Sequence, residues 1–158
     1  MAAANFYTFD SFLVELEKGK GGTKIDLSTD TLSVYLSNAA PNPPNRATNA
    51  VKGDLPEITA KNGYAGMVDL VITRSTYNNT RRFVANDVEW TGTAANDATG
   101  IGPFRYVVLL SKTSNATDAN RSLIGFWAYP NTITVPNGGI FKIDFSAIDG
   151  MMRLRSTI

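Results

Sequence analysis

The chain has 158 residues, 43% hydrophobic and 18% charged, which is enough for one domain that buries roughly two-thirds of its unfolded surface. A net charge of +1 gives no general electrostatic pull toward nucleic acid or a membrane. Cysteine and histidine are both absent, which removes disulfides, the usual zinc sites, thiol nucleophiles and every histidine acid–base relay.

The first residues, Met1 to Tyr7, hold no basic segment followed by an apolar stretch. No secretory signal is expected, and synthesis in the host cytoplasm is. No run reaches the ~18 apolar residues that span a bilayer. One helix is expected over about residues 8–18. Phe9, Phe12, Leu13 and Leu16 fall at i, i+3, i+4 and i+7, one face of a 3.6-residue period. Thr8 serves as the expected N-cap, Asp10 suits the first turn, and Gly19 stops the helix. Three turns are marginal alone, so this apolar face must dock on its own domain or on a neighbouring subunit.

From Ile25 the period becomes two. Leu32, Val34 and Leu36 alternate with Ser33 and Tyr35, a half-buried strand. Ser37 to Gly53 carries Pro41, Pro43 and Pro44, which remove ladder donors and make this a loop or an extended arm. Glu57 to Ala60 pairs briefly before an Asn62-Gly63 turn. Val68 to Ser75 is a strand, Tyr77 to Thr80 a turn, and Arg82 to Thr91 a strand bent near Asn86-Asp87. Gly92 to Gly102 is a loop. Phe104 to Ser111 is an apolar run of the kind buried on both faces, and Leu123 to Tyr129 is its partner. Ile133 to Val135 is a short strand, Asn137-Gly138-Gly139 a hairpin signal, and Ile140 to Phe145 an alternating strand. Asp149-Gly150 turns the chain into Met151 to Leu154. About eight short strands after one helix indicate an all-β antiparallel sandwich or barrel.

The search for chemistry returns little. There is no P-loop, dinucleotide fingerprint or serine elbow. Gly100-Ile101-Gly102 leads into a strand and fails the structural test for a phosphate loop. Asp54, Glu57, Asp69, Asp87, Glu89, Asp97, Asp118, Asp144 and Asp149 are the carboxylates of the β region, and no spacing among them singles out a glycosidase pair. Asn96-Asp97 and Asn115-Asp118-Asn120 lack the oxygen density of a calcium loop. Arg74, Arg81 and Arg82 form a small basic group around one turn, which suits contact with an acidic protein surface better than nucleic acid. Trp90, Trp127 and Phe126 read as core. No catalytic residue, cofactor or metal site is expected.

The order of motifs carries a resemblance. Phe9-Asp10-Ser11-Phe12 leads to Lys24-Ile25-Asp26-Leu27 and to Asp30-Thr31-Leu32-Ser33-Val34-Tyr35-Leu36-Ser37-Asn38. Glu57-Ile58 and Asn62-Gly63-Tyr64 follow. Ile101-Gly102-Pro103-Phe104-Arg105-Tyr106-Val107-Val108-Leu109 precedes Leu123-Ile124-Gly125-Phe126-Trp127 and Gly139-Ile140-Phe141-Lys142-Ile143-Asp144-Phe145. From about Phe9 to Leu154 this resembles small structural proteins of tailed bacteriophages, of the capsid cement (decoration) type. The resemblance implies a jelly-roll-like β-sandwich without an active site, often a homotrimer, bound to the major capsid protein on the capsid exterior of the virion. No nucleic-acid or membrane partner is expected.

On that reading residues 1–7 form an N-terminal arm and residues 8–158 a single β-sandwich domain. The interface residues would be Phe6, Tyr7 and Phe9 with Pro41, Pro43 and Pro44. Aromatics anchor interfaces, and prolines lower the ordering cost of a loop. Two alternatives stay open. One is a tail-associated subunit (fibre, collar or adaptor). The other is a carbohydrate-binding module or small glycosidase, which needs an exposed Trp90 or Trp127 beside paired carboxylates.

Overall fold

The computed structural model describes residues 4–18, 25–41, 49–77, 80–93, 100–145 and 151–155. Among the described residues it is mainly β, with antiparallel sheets, one short N-terminal helix and no closed barrel. The strands are β1 (Asn5–Thr8), β2 (Leu32–Ser37), β3 (Val68–Asp69), β4 (Ile72–Tyr77), β5 (Thr80–Ala85), β6 (Val88–Thr91), β7 (Ile101–Ser111), β8 (Leu123–Val135), β9 (Ile140–Ile143) and β10 (Met152–Arg155). Helix α1 spans Asp10–Glu17. A five-stranded sheet has the order β1-β8-β7-β2-β3, a three-stranded sheet β10-β5-β4, and β6 pairs with β9.

The five-stranded sheet is covered on both faces. Val107, Val108, Leu109 and Leu110 of β7 are all at 0% exposure, which requires apolar neighbours on either side of an alternating strand. Leu32, Val34, Leu36, Val107, Leu109 and Ile124 face one cluster. That cluster also takes Phe83 from β5, Val88 and Trp90 from β6, Phe141 and Ile143 from β9, and Met152 from β10. Phe104 meets Phe141 edge-on at 4.8 Å. On the opposite face Tyr35, Tyr106, Val108, Leu110, Leu123 and Phe126 pack under Phe9 and Leu55. Each such buried side chain contributes about 1.5–3 kcal/mol relative to exposure. For this reason β2 is buried at every position, where alternation alone indicates a half-buried strand. Its hydroxyls are satisfied: Tyr35 donates to the Leu55 carbonyl at 2.8 Å and Ser37 to the Pro56 carbonyl at 2.8 Å.

Several boundaries differ from the expected ones. The run from Val68 splits, because β3 joins β2 while β4 joins β5 in another sheet. The bend near Asn86-Asp87 divides β5 from β6. It is fixed by the Asn86 side chain, which accepts from Val71 N at 2.6 Å, and by Asp87, which accepts from Phe145 N at 3.0 Å. Ile133 to Val135 is the far end of β8, reached through irregular register with β7. The turn at Gly138 is present, with φ +74°, but β9 leaves β8 and pairs with β6, so it closes no hairpin. Glu57 makes one bridge to Ser37. The Asp149-Gly150 turn and Gly19 lie outside the described residues.

Residues 5–7 of the expected N-terminal arm belong to the sheet. Phe6 pairs with Trp127 and Tyr7 with Phe126 along β8, since these rings find partners there. The helix starts at Asp10, its N-cap is Phe9 without a side-chain cap bond, and Thr8 closes β1 instead of capping the helix.

Candidate interaction surface

The strand β1 and helix α1 form one unit joined only by Phe9. The Phe9 amide donates to the Ile124 carbonyl at 3.1 Å, and its ring lies 5.2 Å from that of Phe126. Phe12 is buried on the other cluster. These two anchors use the inward side of a helix only eight residues long. Leu13, Val14 and Leu16 are left 46%, 51% and 37% exposed, forming an apolar ridge flanked by exposed Asp10 and Glu17. Periodicity puts Leu13 and Leu16 with Phe9 and Phe12. The structure turns them outward, because the core reaches only one edge of the stripe. Val14 is the residue that periodicity misses.

The six residues expected at an interface are distributed unequally. Phe6 is half-buried with its ring 4.6 Å from Trp127, and Tyr7 is half-buried and stacked 5.3 Å from Phe126. Phe9 is at 0% exposure, so within this chain it presents no surface and acts as a core anchor. Pro41 is buried. Pro43 and Pro44 lie outside the described residues. The structure therefore brings Phe6, Tyr7 and Phe9 together on β8.

The tryptophans line the core cluster. Trp90 is 4% exposed and stacks 6.0 Å from Phe141, while Trp127 lies between Phe6 and Phe145. Neither forms a bare platform beside paired carboxylates, the arrangement that a sugar site would need.

The carboxylates are drawn to cations. Lys52, only 8% exposed, reaches Asp118 Oδ2 at 2.6 Å and Glu57 Oε2 at 2.8 Å, and its Nζ stands 5.4 Å from the centre of the Tyr35 ring. Tyr64 donates to Glu57 Oε1 at 2.6 Å and accepts from Leu36 N at 3.0 Å. The Asn62-Gly63 turn positions Tyr64. Gly63 has φ +98°, and a Cβ there would sit 1.9 Å from the Thr91 carbonyl oxygen, so only glycine permits that approach. A cleft of about 260 Å³ opens over Lys52, Gly53, Glu57 and Asp118. Elsewhere Asp69 meets Lys112 at 2.6 Å and Asp87 meets Lys142 at 2.7 Å. Asp54 accepts from the Ala50 and Val51 amides. No group of three or more acids among the described residues is placed to hold a metal. Asp97 and Asp149 are outside them.

These pairings set a pH dependence. Burial pushes the Lys52 ammonium down, but hydrogen bonds to Asp118 and Glu57 outweigh it, and the net shift is up. Burial pushes the Tyr35 and Tyr64 phenols well up, with Glu57 adding to both. All three folded values lie above the unfolded ones, so their contribution is complete below about pH 10 and is lost as pH rises further. Urea midpoints measured from pH 8 to 11.5 should fall only above about pH 10. Tyr64→Phe should flatten part of that decline.

No family model matches the chain, and no curated protein or solved structure shows significant similarity to it.

Proposed function

We propose that this chain is a non-catalytic structural subunit of a tailed-bacteriophage particle, a capsid cement protein bound to the major capsid protein on the outside of the head. The sequence resemblance supports the class. The observation that carries the binding role is the ridge of Leu13, Val14 and Leu16, exposed on a helix that Phe9 and Phe12 hold rigidly against the body. An apolar ridge already in its bound geometry loses little entropy on docking. Half-buried Phe6 and Tyr7, on opposite faces of the adjoining strand, are of the residue type that anchors interfaces.

A jelly-roll-like sandwich is the architecture we assign. In its favour, one apolar cluster takes side chains from all three sheets. A trimer would add avidity, since several weak contacts on one rigid body act together. A tail-associated subunit is the second reading, because the same exposed ridge suits any neighbouring subunit.

Leu13→Ser combined with Val14→Ser is the direct test. Both side chains are exposed, so stability should change by no more than about 0.5 kcal/mol, while co-sedimentation with purified heads is lost. Unchanged sedimentation would remove the ridge from the interface. Copy number in purified particles separates the two readings: many copies indicate the shell, few the tail.

A further inference from the structure

The sequence contains two Asn-Gly pairs, Asn62-Gly63 and Asn137-Gly138. In such a pair the glycine nitrogen can attack the asparagine side-chain carbon and close a ring. Glycine has no side chain to obstruct the approach. The attack is intramolecular, which makes even a weak nucleophile effective. The fold treats the two pairs differently.

Asn62 is locked. Its Nδ2 donates to the Gly100 carbonyl at 2.9 Å, and its own carbonyl accepts from Thr93 N at 2.9 Å. Ring closure there must pull the side chain off Gly100 and turn Gly63, which is wedged against the Thr91 carbonyl. Asn137 is exposed, and among the described residues no hydrogen bond holds its side chain. A Cβ on Gly138 would meet nothing within 4 Å. One bond restrains the nucleophile: Gly138 N donates to the Gly92 carbonyl at 2.8 Å. Gly92 N donates in turn to the Gly139 carbonyl at 2.8 Å, so the two bonds clamp this turn to the end of β6.

We propose that Asn137-Gly138 is a self-modification site, which converts spontaneously to isoaspartate and aspartate when the Gly92 clamp opens. Gly138 N loses its proton to solvent and bonds to Asn137 Cγ. The Cγ–Nδ2 bond breaks, and Nδ2 leaves as ammonia. Water then opens the cyclic imide. Cleavage at the side-chain carbonyl leaves aspartate, and cleavage at the main-chain carbonyl leaves isoaspartate, with the backbone running through the side chain. Water is the only co-reactant. Either product adds one negative charge to a chain of net charge +1. The imide has no N–H at Gly138, so its bond to Gly92 is lost while the ring stands. Isoaspartate lengthens the backbone by one methylene and displaces Gly138 from Gly92. The adjoining ladder sets Thr91 opposite Ile140 and Trp90 opposite Phe141, so conversion loosens the β6-β9 pair from this end. The site is separate from the α1 ridge and does not depend on the virion reading.

The test is to incubate the full chain in mildly alkaline buffer, folded and in denaturing urea, and to map both sites by peptide mass spectrometry. In the folded chain Asn137 should convert, with Asn62 roughly tenfold or more slower, because further hydrogen bonds must break there. In urea the two should convert at similar rates, both faster than Asn137 in the folded chain, where closure of the clamp protects it. Isoaspartate should be present among the products. The converted chain, separated by ion exchange, should have a lower thermal midpoint than the parent. Asn137→Gln, whose longer side chain disfavours the ring, should fold normally and keep its midpoint through the same incubation. Four results would overturn the proposal. Asn62 could convert as fast as Asn137 in the folded chain. Asn137 could stay intact there, or convert as fast as in urea. Aspartate could form without isoaspartate, which would mean direct hydrolysis. The converted chain could keep the parent midpoint, which would disconnect the site from β6.

Discussion

Gly125→Val should cost about 3 kcal/mol of folding stability and detach the N-terminal strand. Gly125 lies on β8 between Thr8 of β1 and Leu109 of β7. A Cβ there would sit 2.5 Å from the Phe6 ring and 2.6 Å from the Tyr7 carbonyl oxygen. The ring can rotate away, but the carbonyl belongs to a paired strand, so β1 must lift. With it go the ring contacts of Phe6 on Trp127 and Tyr7 on Phe126. Urea denaturation followed by tryptophan emission reads both effects: a lower midpoint and an altered folded-state spectrum from Trp127. Gly125→Ala, with less bulk, should do the same to a smaller degree. On the proposed function, binding to heads should also fall under conditions where the variant stays folded, because α1 follows β1 with only Phe9 between. A variant as stable as the parent would show that β1 contributes nothing on β8.

Lys52→Ala should be the second large loss, about 3 kcal/mol. Its ammonium joins two segments far apart in sequence, through Asp118 and Glu57. The two halves are unequal. The Asp118 side chain is 54% exposed and is readily hydrated once released, so its share is small. Glu57 is 20% exposed and still bonded to Tyr64, so most of the loss comes from stranding its charge. Lys52→Met keeps the stem over Tyr35 and should cost less. Adding Glu57→Gln to Lys52→Met should recover part of the remainder, because the stranded charge is gone while an oxygen remains for Tyr64. Thermal unfolding of the parent, Lys52→Met, Glu57→Gln and the double variant closes this cycle. Additive effects of the two substitutions would mean that Lys52 and Glu57 are not coupled.

Local signals located most strands and turns. Asn62-Gly63 announced its turn because two successive residues must take positive φ there, and few residue pairs do so cheaply. The continuous apolar run at Tyr106 to Leu110 announced a strand covered on both faces, because alternation is lost only when neither side meets water. Other features were illegible for equally definite reasons. The Asn137-Gly138-Gly139 turn does not state which strand β9 will join. Leu13 and Leu16 satisfy helical periodicity, yet periodicity does not say how wide a stripe the core can accept. Lys52 had no local mark, since its partners lie 5 and 66 residues away.

The sequence by itself determined a β-rich chain with one short helix and no histidine or cysteine chemistry, because residue types and short-range patterns are enough for that. Only the tertiary structure decided what its surfaces carry. It folded Phe6, Tyr7 and Phe9 onto β8, left Leu13, Val14 and Leu16 outside, and brought Arg153 beside Arg82, 71 residues earlier in the chain. Strand pairing joins residues by register, and register depends on which sheets share a core. No window of sequence contains that information.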